Sequence, residues 1–153
     1  MNNKEQALTL LLDAYYTLVE NKLDSKYKEL KKAIKEAVKE LGGTIPRTPK
    51  QPYFRGTETG ILAHIHNTLW LFKMTGTGWG DDELEAFYEI PYLAYEALAD
   101  VKSTCKKDTE AKIEVIRTQY SDYNLDEIQK IALRTLEHEL TGRVGEWGLP
   151  NKT

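Results

Sequence analysis

A chain of 153 residues with one cysteine and a net charge of −3 fits a single domain around one core, and it excludes a disulfide framework or a cysteine zinc site. The pI near 5.7 argues against a protein built wholly for nucleic acid. No apolar run approaches the roughly 20 residues needed to cross a bilayer. The expectation is therefore a cytoplasmic protein with no membrane partner. Glu5 and Asp13 sit where a secretory signal would be uncharged, so no signal peptide is expected either.

In chain order, the first expected helix covers Asn3 to Asn21, with Leu8, Leu11, Leu12, Tyr15, Leu18 and Val19 as its stripe. The second begins near Asp24. Leu23, Tyr27, Leu30, Ile34, Ala37, Val38 and Leu41 recur at helical steps, and Gly42–Gly43 supplies a left-handed stop. Residues 1–41 thus read as an α-hairpin.

Residues 42–56 break the pattern. Pro46, Pro49 and Pro52 exclude a helix and favour an extended crossover. Arg47, Lys50 and Arg55 alternate there with Tyr53 and Phe54. Charge is segregated around this point. Residues 22–55 hold ten Lys and Arg against four acids, while residues 56–153 hold ten against seventeen. Such a segment either pairs with the rest of the chain or meets an acidic partner.

The expected helical core spans 57–141. Its centre is the helix at 58–73, because Thr59 to Phe72 runs without a formal charge and Ile61, Leu62, Ile65, Leu69 and Phe72 fall at helical spacing. Leu62, Ile65 and Leu69 should be fully enclosed. The glycines of residues 74–82 read as a helix-capping loop, since no Walker lysine accompanies them. Leu84, Phe87, Pro91, Ala94, Leu98, Val101 and Cys105 form the next stripe, with a kink or a fresh helix start at Pro91. Tyr88, Tyr92 and Tyr95 make an aromatic seam beside it. Asp108 should cap a helix to Tyr120 with Ile113, Ile116 and Tyr120 inward, and Asn124 should cap the last, Leu125 to Leu140. Residues 142–153 read as an irregular tail.

Chemistry is sparsely signposted. His64 and His66 diverge by about 200° on a helix, so they cannot ligate one metal together, and no HExxH or ExxH pair exists. His64 could meet His138 and Glu139 of the last helix to form a metal or acid–base site. Cys105 sits on a core stripe, where a thiol is packing material.

These readings converge on an all-α, single-domain bundle of five or six helices. The leading function is a non-catalytic interaction or assembly module, without cofactor, that docks a basic, aromatic-edged segment onto a protein partner or a second copy. Its contact residues would be Arg47, Lys50, Tyr53, Phe54 and Arg55, with Lys28, Lys32 and Lys35, or else the tyrosine seam. One alternative is nucleic-acid binding through the same segment. Another is a small enzyme using His64, His138 and Glu139.

Overall fold

The N-terminal hairpin takes its shape from two helix stops. A computed structural model describes residues 3–74, 85–120, 124 and 126–130. Helix α1 runs over Asn3–Glu20 and α2 over Lys28–Glu40. Beyond α2, Gly42 adopts φ 72°. Its N–H bonds to the Lys39 carbonyl and that of Gly43 to the Val38 carbonyl, both at 2.9 Å. This paired pattern closes the last turn, and glycine enters it without a Cβ penalty. The end of α1 is closed the same way, but by a residue that carries a Cβ. Lys22 has φ 60°, and the bonds run from Lys22 to Val19 and from Leu23 to Leu18 at 3.0 Å.

α2 starts four residues after the expected Asp24. The intervening residues form turns, held by a 3.2 Å ion pair between Asp24 and Lys31. The inward face of α1 is also rotated from the expected one. Ala7, Leu11, Ala14 and Leu18 are buried in the core, while Leu8, Leu12, Tyr15 and Val19 are half-buried. The alanines let neighbouring helices approach closely, so α1 meets them along its smaller side chains.

Helix α3, Glu58–Met74, is central. It packs against α1, α4 and α5, and Leu62, Ile65 and Leu69 are 0%, 1% and 0% exposed. Leu71 and, at the end of the helix, Met74 turn outward, at 57% and 58%. Helix α4, Glu85–Ala99, lies against α2 and α3. Pro91 sits inside α4 rather than starting a new helix. The stripe still holds through it, because Phe87, Pro91, Ala94, Leu98 and Val101 are all buried. Cys105 departs from that stripe. The helix has ended by then, and Cys105 is an exposed residue of extended backbone just before α5, Lys106–Gln119.

α5 departs furthest from expectation. Its buried face is Asp108, Lys112, Val115 and Ile116, with Ile113 and Tyr120 only half-buried. Polar residues occupy its inward stripe because each finds a partner: the Lys112 ammonium donates to the Val101 carbonyl. Asp108 accepts from the Thr104 N–H at 2.9 Å, the Thr104 hydroxyl at 2.8 Å and the Thr57 hydroxyl. Burial alone would raise the Asp108 carboxyl, but these bonds, with one from Cys105, outweigh it and hold the group below the usual carboxylate range. Asp108 therefore joins the start of α5 to the start of α3. Residues 126–130 are helical, and Asn124 caps them through a 2.9 Å bond from the Glu127 N–H. Among the described residues there is no strand. The glycine loop after Met74, the remainder of the expected last helix and the tail lie outside the described residues.

Candidate interaction surface

The crossover's proline spacing forces extended backbone, so its N–H and carbonyl groups must find partners outside any helix of its own. α1 supplies them with a polar seam at four-residue steps, Thr9, Asp13, Thr17 and Asn21. The Gln51 amide donates to the Thr9 carbonyl at 2.7 Å. The Asn21 amide donates to the Phe54 carbonyl at 2.9 Å, and the Phe54 N–H donates to the Thr17 hydroxyl at 3.2 Å. Tyr16, packed beside the seam, donates to the Pro46 carbonyl. The arm is thereby fastened along α1.

Its side chains divide by chemistry. Phe54 turns inward and stacks on the His64 ring at 4.8 Å between centroids. Gly56 makes room for this ring, since a Cβ there would lie 2.9 Å from Phe54. His64 in turn meets the Asp13 carboxylate at 3.1 Å, and Thr17 donates to the same oxygen at 2.9 Å. Arg47, Lys50 and Arg55 point outward and are exposed. Arg55 lies over the Tyr53 ring at 5.1 Å and donates to its hydroxyl at 2.6 Å.

The lysines of α2 behave alike. Lys28, Lys32 and Lys35 are exposed and line, with Lys31, Asp24, Ser25 and Glu36, a shallow depression of about 460 Å³. Among the described residues, no carboxylate lies within 4.0 Å of Lys28, Lys32, Lys35, Arg47, Lys50 or Arg55. Among the described residues, internal ion pairs take up two cations of the segment. Lys31 pairs with Asp24, and Lys26 with Glu58 at 2.6 Å. Burial raises the Glu58 carboxyl, yet Lys26 and the Tyr27 hydroxyl pull it below its ordinary value.

The tyrosine seam divides. Tyr95 is buried, bonded to the Tyr120 hydroxyl at 3.2 Å, and its burial and that bond push its own hydroxyl well up. Tyr92 is exposed, and together with Trp70 and Tyr88 it surrounds the Lys73 ammonium at 4.7 to 5.5 Å from the ring centroids. The seam is therefore part core and part a cation-filled rim.

Of the residues suggested for catalysis, His64 meets the Asp13 carboxylate and the Phe54 ring. His66, which was not among them, is fully buried between Asn67 and Gln119 at 2.8 Å each. His138 and Glu139 lie outside the described residues. Among the described residues, no group of three or more His, Cys, Asp or Glu side chains could hold a metal ion, and no helix is long and apolar enough to cross a membrane. The contact of Asp13 with His64 is not foretold by the sequence reading, although the four-residue polar periodicity of α1 was its available signal. A second feature could not be read without tertiary contacts. The arm, α3 and α5 enclose a cleft of about 670 Å³ whose lining includes Phe54, Arg55, Gly60, Ala63, Lys107 and Ala111. Comparison with protein-family models, with curated proteins and with solved structures finds no match to this chain.

Proposed function

We propose that this protein is a non-catalytic interaction module whose basic segment docks onto an acidic protein surface. One observation carries the reading: seven exposed cations of residues 28–55, Lys39 among them, have no carboxylate within reach among the described residues, although the chain as a whole is net negative. Cations left unpaired in an acidic protein lower its own stability little and are available to a partner. The fastening of the arm along α1 lowers the conformational entropy lost when a partner binds. A protein partner is favoured over single-stranded nucleic acid by the use of the rings. Phe54 is stacked on His64 and Tyr53 is covered by Arg55, so each has one face already taken and offers less ring surface on which a base would stack.

The test is a pair of titrations at two salt concentrations, with labelled poly-L-glutamate and a labelled oligothymidylate of matched charge. Salt-sensitive binding of polyglutamate is expected, weakened about tenfold by the triple substitution K28A/K32A/K35A. Tighter binding of the oligothymidylate would replace the protein reading with a nucleic-acid one. Binding of neither would remove the basic face as a docking surface.

A further inference from the structure

We infer that the cleft between α3 and α5 receives a short partner segment carrying aliphatic side chains beside carboxylates; this rests on the docking function proposed above and names the chemistry of its contact. Thr57 and Asp108 join the two helices at one end, and His66 and Gln119 join them further along. α3 and α5 therefore run parallel, and the cleft follows their N-terminal halves. Gly60 and Ala63 on α3 and Ala111 on α5 give it a small apolar floor, with the polar His64, Asn67 and Thr68 on the same lining. Small residues facing one another leave depth for an aliphatic side chain, and the Phe54 ring forms a wall of the same cleft.

The charges on the lining divide by availability. Asp108 is 2% exposed and satisfied by Thr57 and Thr104, and Glu114 is paired with Arg117 at 3.8 Å. Lys107 and Arg55 are exposed with no carboxylate partner among the described residues. Of the exposed charges on the lining, Arg55 and Lys107 are positive and Glu114 is negative, so the exposed charge is net positive. Lys107 and Glu114 are seven residues apart on one helix, which sets a length of about 10 Å, the span of about three extended residues. An occupant of that length would lay aliphatic side chains on the alanine floor and turn carboxylates toward Arg55 and Lys107. Arg55 belongs to the arm as well as to the cleft, so the two surfaces are continuous.

The experiment follows backbone amide shifts of the full ¹⁵N-labelled chain titrated with Ac-Leu-Leu-Asp-Glu-NH2. Ac-Leu-Leu-Lys-Lys-NH2 and Ac-Ala-Ala-Asp-Glu-NH2 serve as controls for charge and for the aliphatic anchor. The first peptide should shift the Gly56, Gly60, Ala63 and Ala111 amides to saturation, and the two controls should not. Ala111→Leu, which fills the floor with a good helix former, should weaken binding at least about tenfold. The surface variant R55Q/K107Q should do the same without touching the floor. If the three peptides act alike, or none moves these amides at millimolar concentration, the cleft assignment is overturned. Polyglutamate titrated in parallel separates the two ideas. Shifts confined to α2 and the arm, with the cleft silent, would leave the docking function standing and remove the cleft; silence from every probe would remove both.

Discussion

Lys22 holds a left-handed backbone, φ 60°, at the point where α1 stops, and a Cβ in that region costs roughly 1–2 kcal/mol. Gly42 does the same task at the end of α2 without that cost. Lys22→Gly should therefore stabilise the protein by about 1 kcal/mol, read as a higher urea midpoint at unchanged slope. A lower midpoint would mean that the lysine side chain contributes more than its backbone loses. His66 provides the second test at this scale. It is fully buried, and burial lowers its pKa below the ordinary value despite the opposing bonds to Asn67 and Gln119. The folded state thus favours the neutral ring, while the unfolded state titrates near 6.5. Stability is complete above about pH 6.5 and falls as pH drops from there through the depressed folded value. Urea midpoints at about pH 7.5 and about pH 5.5 should differ, and His66→Gln should shrink the difference. An equal loss in the variant would assign the acid sensitivity to other groups.

Among the elements, α3 carries the core, and it was the most legible part of the sequence. An uncharged run with helical spacing leaves few choices, and Leu62, Ile65 and Leu69 are enclosed as its pattern requires. Leu69→Ala should cost about 2–5 kcal/mol, measured by chemical denaturation; a loss below about 1 kcal/mol would mean that the surrounding helices collapse readily onto the space. The stop of α2 and the cap at Asn124 were equally readable, since glycine and asparagine act there through local backbone geometry. α5 was not. Its inward residues include Asp108 and Lys112, which hydrophobic periodicity assigns to water, and their burial depends on Thr57, Thr104 and the Val101 carbonyl. Thr104 is a local partner, four residues before Asp108, but Thr57 and the Val101 carbonyl come from other parts of the chain and leave no trace in the local pattern. The shift of α1 toward Ala7 and Ala14 has a similar origin, because close packing rewards small side chains that a hydrophobicity stripe ranks low. Pro91 divides the two. A fresh helix start at that residue is excluded, because it lies within one helix, whereas the continuous buried face through it follows the sequence stripe.

On the scale of the whole molecule, the account is one of segregated charge on a fastened surface. The segregation itself was visible in the sequence, and the prolines identified the extended arm. Its fastening was not visible, because it needs the Thr9–Asp13–Thr17–Asn21 seam of α1 laid beside it, and the cleft needs α5 laid beside α3. The proposal turns on whether Arg47, Lys50 and Arg55 face a partner or serve the fold. Their exposure, and the hydrogen bonds that hold the arm through Tyr16, Thr17, Asn21 and Gln51 instead, make them separable from stability. The most direct measurement is the R47A/K50A/R55A variant, assayed for melting temperature and for polyglutamate affinity in one buffer. The account predicts a melting temperature within about 2 °C of the parent and an affinity reduced about tenfold. A variant that melts markedly earlier but binds as tightly as the parent would contradict it, and would make the arm's cations part of the fold.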